Sequence, residues 1–209
     1  MLIAVSASTQ TVRFVENEEP VSADLRDSLL GLAPPPKLSL QPGSPNPQSN
    51  PEFSPKIPDV SVIDQDGRTR HFYSDLVKDR VVVINFIFTR CTTICPPLGA
   101  TFAELQRNFN SELGKSVFLI SVSIDPRVDT PERLRAWGAK FGAKPGWILV
   151  TGSPTEIKRL VQSFGVEDTS VEDHSPLFVI GNEKKSLWKK VYGLGSAGVL
   201  IKTIRQVRM

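Results

Sequence analysis

Cysteine, histidine and methionine each occur only twice in these 209 residues. Two cysteines exclude a disulfide framework; they allow one bridge, one metal site, or each at different times. The methionines stand at the two ends, Met1 and Met209, so no internal thioether offers a third soft ligand. Long apolar runs are also missing, and nothing approaches the roughly 20 residues a membrane-spanning helix needs. The brief apolar start, MLIAVSAST, has no basic residue ahead of it and lacks the flanks of a secretory signal. It fits a fragment of one if the true start lies upstream. Charge of one sign is scarce: the net charge is +3 and no dense Lys/Arg block exists, which argues against a nucleic-acid partner. What is present is ordinary for a globular protein, 40% hydrophobic and 22% charged, with length for one cored domain and some extra chain.

Proline divides the chain. The stretch from Pro34 to Pro58, PPPKLSLQPGSPNPQSNPEFSPKIP, cannot bury enough apolar surface to offset its ordering entropy. Residues 34–58 therefore read as an extended linker, and residues 1–33 as a tail in which VSADLRDSLLGL can form one short helix. From residue 59 to 209 the pattern turns regular. VSVIDQDGRTRHF predicts two short strands around an Asp66-Gly67 turn. RVVVINFIF reads as an unbroken apolar, β-branched run, the mark of a strand buried on both faces, and SVFLISVSI as a second buried strand. GWILVTG is a third strand, and PLFVIG with SLWKKVYG predicts an antiparallel pair. Helices are expected over LGATFAELQRNFNSEL, over DTPERLRAWGAKFG with Thr130 as N-cap, over SPTEIKRLVQSFG behind a capping box, and over SAGVLIKTIRQV. This order predicts an α/β domain, a mixed central sheet with helices on both faces and a β-hairpin at its N-terminal end.

Both cysteines fall in INFIFTRCTTICPPL, as Cys91 and Cys95, where a buried strand gives way to a helix. Pro96 and Pro97 suit a first helical turn, where a missing N–H is harmless. A helix N-terminus stabilises a thiolate and lowers its pKa. At i and i+4 the two sulfurs can converge on a metal ion or close a bridge. His71 sits in the first hairpin and reads as a partly exposed strand residue. His174, in VEDHSPLFVIG just before a strand, is the candidate third ligand. Two thiolates and an imidazole suit copper, and zinc accepts the same set with an open position. Asp125 ends the second buried strand at the edge where the cysteine loop lies.

Three blocks, DQDGRTRHFYSDLVKDRVVVINFIFTRCTTICPPL, SVSIDPRVDTPERLRAW and DHSPLFVIG, resemble the SCO/SenC family in order and spacing from about Ile57 onward. The resemblance implies a thioredoxin-like, three-layer fold. It implies one copper ion per domain, Cu(I) or Cu(II), held by Cys91, Cys95 and His174. It also implies a metallochaperone role in maturing the copper centre of cytochrome c oxidase, with subunit II as the copper-receiving partner, in the periplasm or a membrane-facing oxidising compartment. Thr92 stands where the family often has proline, and the family's N-terminal membrane anchor is missing, so membrane association is expected only through such an anchor or a partner. Asp125 and Pro176 are expected around the site, Asp125 to orient His174 or meet a partner, and Pro176 at the place of the substrate-docking cis-proline of thioredoxin-like enzymes. The competing expectation is a thiol–disulfide oxidoreductase in which Cys91 or Cys95 attacks a target disulfide. A peroxidase using Arg90 lacks the expected threonine-proline lead-in, and an interaction module with inert cysteines is the remaining reading.

Overall fold

The strand at Val81–Ile87 (β3) is buried at all seven positions, as its unbroken apolar run requires. It is an interior strand, next to the central one, of a seven-stranded sheet in the computed structural model, which describes residues 53–166 and 175–209. The tail, most of the linker and His174 lie outside the described residues. The other strands are β1 (Ser61–Asp64), β2 (Thr69–His71), β4 (Val117–Ser123), β5 (Trp147–Thr151), β6 (Leu177–Asn182) and β7 (Leu187–Tyr192), in spatial order β2-β1-β5-β4-β3-β6-β7. β3, β4 and β5 are parallel, β6 runs antiparallel to β3, and β1 antiparallel to β5. The sheet is mixed, with the β1–β2 hairpin on one edge, as expected.

Four helices cover it: α1 (Cys95–Asn108), α2 (Pro131–Lys140), α3 (Pro154–Ser163) and α4 (Ala197–Arg208). The period of two along β3 splits the core. Val81, Val83 and Ile87 pack with α1, α2 and α4, whereas Val82, Ile84 and Phe86 pack with α3 on the other face. Each such side chain is worth roughly 1.5–3 kcal/mol of burial. Phe53 and Ile57, within the stretch read as linker, also pack against the second cluster, and the Lys190 ammonium lies 4.2 Å from the Phe53 ring centroid.

Some local expectations are modified. α1 stops at Asn108, whereas the pattern predicted a run to about Leu113; residues 109–113 form turns, with the Phe109 and Leu113 N–H groups bonded to the carbonyls of Leu105 and Phe109. Phe72–Val77 forms a single π-helical turn that no periodicity announced. Ser153 caps α3, accepting from the Glu156 N–H at 3.3 Å. The Glu156 carboxylate does not close a reciprocal box; it accepts from the Ser153 hydroxyl and from the Ser61 N–H of β1.

Candidate functional site

β3 and β4 run parallel and finish at the same end of the sheet, so the loops leaving them meet there. The first carries Cys91 and leads into α1, whose first residue is Cys95. Pro96 and Pro97 follow and bring no N–H. The Leu98 N–H reaches the Ile94 carbonyl at 3.2 Å. Among the first three helical positions only Cys95 carries a donor, and its N–H points to Cys91 Sγ at 3.2 Å. The hydrocarbon side chain of Ile94, at the N-cap, has no acceptor to offer, and the Cys91 sulfur takes that place.

The two thiols are reduced and unequal. Burial pushes the Cys91 thiol up, but hydrogen bonds from Cys95 and Thr93 outweigh it and hold the thiol below its ordinary value. Cys95 is pushed far up, first by burial and then by its hydrogen bond to Cys91, with the negative charges of Cys91 and Asp129 adding to the shift. Cys91 is 9% exposed and Cys95 fully buried. An incoming sulfur or metal ion therefore meets Cys91 first.

The second loop, after β4, braces the first. Asp129, 1% exposed, accepts from the Thr89 N–H at 3.1 and 3.2 Å, from the Thr89 hydroxyl at 2.5 Å and from the Ser123 hydroxyl at 2.7 Å. Asp129 is the residue the sequence reading missed. Its one visible signal was a second carboxylate four residues after Asp125, just before a Thr-Pro helix start. Asp125 is also buried and accepts from the Arg90 guanidinium at 3.0 Å. That engagement ties Arg90 to the β4 loop.

Pro176 immediately precedes β6, which begins where β3 ends, Phe178 lying opposite Asn85. Its carbonyl accepts from the Gly193 N–H at 2.9 Å. Every peptide bond of the described residues is trans, so the expected likeness of Pro176 to a substrate-docking cis-proline is corrected. His71 is exposed on β2, as expected. No group of three or more His, Cys, Asp or Glu able to hold a metal occurs among the described residues. The donor chemistry of the pair still fits a soft cation: two reduced thiols within one helical turn, with Asp125 and Asp129 occupied elsewhere. No helix among the described residues is long and apolar enough to cross a membrane.

The chain is 33% identical over 133 residues to the SCO1 protein homolog of Bacillus subtilis, a match covering 59% of this chain and 67% of that one. It is 31% identical over 156 residues to a Stutzerimonas stutzeri protein named for copper binding, covering 70% and 73%. Among solved structures it resembles BsSco, a member of the Sco family of cytochrome c oxidase assembly proteins in which a disulfide switch was identified. There the identity is 27%, the TM-score 0.64, and 77% of this chain and 97% of that chain are covered. Residues 49–208 match the SCO1/SenC family, and the chain belongs to that family.

Proposed function

We propose that this protein is a copper metallochaperone for assembly of a copper centre, that of cytochrome c oxidase, with copper as cargo held by Cys91, Cys95 and His174. One observation carries the reading: a pair of free thiols at the start of α1, one of them acidified and less deeply buried than the other. A thiolate is the form that binds a soft metal, and a thiol that ionises readily competes better with protons for it. β6 begins three residues after His174, at the sheet end that carries the cysteines, which supports an imidazole as third donor. The copper-binding name of the S. stutzeri relative and the assembly role of BsSco supply the cargo and the target class.

Transfer is a ligand exchange. Each sulfur–copper bond broken on this chain is replaced by one to a partner thiolate, the ion keeps its oxidation state, and the partner's thiol proton passes to the cysteine left behind. Subunit II of the oxidase is the recipient this reading names, in a membrane-facing oxidising compartment. Competitive Cu(I) titration of the reduced protein against a chromogenic chelator tests it. The wild type binds one ion tightly, Cys91→Ser with Cys95→Ser abolishes this, and His174→Ala weakens it. Tight binding by the double serine variant overturns the site.

The asymmetry of the pair favours a second reading, reduction of a dedicated partner's disulfide. Cys91, acidified and the less deeply buried of the two, would attack, and Cys95, fully buried and protonated, would resolve the mixed disulfide and release the partner as a dithiol while this chain is oxidised. Rapid reduction of insulin by the protein would raise this reading above copper delivery.

A further inference from the structure

Charge is unevenly divided along this chain. Residues 184–209 hold seven Lys or Arg and no Asp or Glu. The remaining residues hold 18 Lys or Arg against 22 Asp or Glu, a net −4. At the composition of the whole chain, a stretch of 26 residues would carry about three charges of each sign. In the fold this stretch is the β6–β7 turn, β7 and α4.

The fold gathers these cations on one face. Lys202, Arg205 and Gln206 recur at i, i+3 and i+4 along one exposed stripe of α4, which Met209 extends. Lys189 reaches that stripe from β7, its ammonium donating to Gln206 Oε1 at 3.1 Å. Lys185, in the turn, donates to the Arg208 carbonyl at 3.1 Å. Leu187, 46% exposed, lies between these lysines on the same side of β7 as Lys189. Opposite it in β6 is Asn182, whose amide donates to the Val207 carbonyl at 2.8 Å. Lys185 and Lys189 thus meet neutral oxygens, and no carboxylate offsets them. Of the nearby acids, Glu112 pairs with Arg208. Glu183 turns to the other face of the sheet, where it accepts from the Tyr73 hydroxyl at 2.6 Å and the Asp79 N–H at 2.9 Å.

Local reasons cover part of this pattern. Cations in the last turn of a helix suit its dipole, and lysines on an edge strand hinder unwanted strand pairing. Neither calls for an exposed leucine among the lysines, nor for the loss of every carboxylate over 26 residues. The face is also remote from the thiols. Asn182 pairs with Val81 at the start of β3, whereas the cysteine loop leaves the other end of that strand, about 20 Å away. A partner exchanging ligands at Cys91 has no use for cations there. An extended negative surface with an apolar layer beneath it does.

We infer that this face, Lys185, Lys189, Lys202 and Arg205 around Leu187, rests on the surface of an anionic lipid bilayer, with the cations at the headgroup phosphates and Leu187 dipping below them. Such a contact leaves the far end of β3, with the cysteine loop, for the partner. The inference goes beyond the proposed cargo and does not depend on it.

The test is co-sedimentation of the full reduced chain, without copper, with vesicles of phosphatidylcholine alone and of phosphatidylcholine mixed with phosphatidylglycerol. Each cation at an anionic surface is worth about a fivefold change in partitioning. Lys185→Gln with Lys189→Gln and Lys202→Gln is therefore expected to weaken binding to the mixed vesicles about 100-fold. All three positions are exposed, so the fold is kept. The control, Arg133→Gln with Lys140→Gln and Lys144→Gln, removes the same net charge from exposed positions on and behind α2 and is expected to change binding less than about threefold. Leu187→Ser is expected to weaken binding about fivefold through the lost apolar contact. Wild-type binding is expected to vanish as salt approaches about 1 M, where the screening length falls to about 3 Å. Equal binding to both kinds of vesicle, equal loss in the control, or binding that survives high salt would each overturn the lipid face. So would tighter binding to polyglutamate than to the mixed vesicles, carried by the same lysines and indifferent to Leu187→Ser, which would assign the face to an acidic protein.

Discussion

Replacing Asp129 by asparagine tests whether the loop after β4 holds the cysteine loop in place. The carboxylate is 1% exposed and serves three donors, the Thr89 N–H, the Thr89 hydroxyl and the Ser123 hydroxyl. Hydrogen bonds to a charged acceptor are worth about 1.5–3 kcal/mol each, and a buried donor left without a partner costs about 1–3 kcal/mol. Asparagine keeps one acceptor oxygen and presents an NH₂ to the rest, so one bond survives and the hydroxyls can turn to spare part of the loss. The net cost works out at about 3 kcal/mol. For a domain of this size each 1 kcal/mol lowers Tm by roughly 2–4 °C, so a drop on the order of 10 °C is expected. Urea unfolding with tryptophan fluorescence measures the free energy, and alkylation of Cys91 in the folded state reports on the loop. Both must change, because Thr89 lies two residues before Cys91 and the Cys91 N–H is itself bonded to the Phe88 carbonyl at 3.1 Å. A loss under about 1 kcal/mol at unchanged m value, with Cys91 reactivity as in the wild type, would refute the clasp.

Four further outcomes follow from the structure. Cys91 should alkylate with iodoacetamide at pH values where an ordinary thiol is still protonated, while Cys95 stays protected until unfolding; equal reactivity would contradict the asymmetry. Linkage then sets two opposite slopes for the reduced protein. Stability rises with pH between the lowered Cys91 value and the ordinary thiol value of 9.0, where the unfolded chain holds the extra proton, and falls above it, where the unfolded chain releases the Cys95 proton that the fold retains. Denaturation midpoints from pH 7 to 10 in wild type and Cys95→Ser separate the two. Gly146→Ala should destabilise by about 2–4 kcal/mol, since φ is +99° and a Cβ would run into the backbone of Gly114, which cannot swing aside; a loss below 1 kcal/mol would show that the two loops separate freely. Asn85→Leu, by contrast, should raise stability by about 1 kcal/mol, because the buried Asn85 amide has no hydrogen-bond partner among the described residues; a marked loss in thermal melts would reveal a polar role for it.

Much of this architecture was legible because it rests on local rules. The predominantly apolar runs of β3 and β4, Thr130 as a cap ahead of Pro131, and the prolines behind Cys95 each act within a few residues, so the strands, the helix start and the position of the thiols between them follow from reading along the chain. Even the donor left over at the start of α1 is implied, since two consecutive prolines leave only the Cys95 N–H. The π-helical turn at Phe72 was not legible, because its carboxylate partners act across space: Tyr73 donates to Glu183 at 2.6 Å, and Asp59 accepts from the N–H groups of Tyr73 and Ser74. Thr89 and Asp129 are forty residues apart, and nothing in the spacing of either block says that one carboxylate closes over the other loop.

Residue order alone therefore determined most of the elements, the cysteine pair and its place ahead of a helix. Tertiary structure decided which cysteine ionises, because burial depends on what the rest of the chain puts over each sulfur. It also decided which loop braces the pair, because the parallel finish of β3 and β4 brings Asp129 to Thr89, forty residues away in the chain.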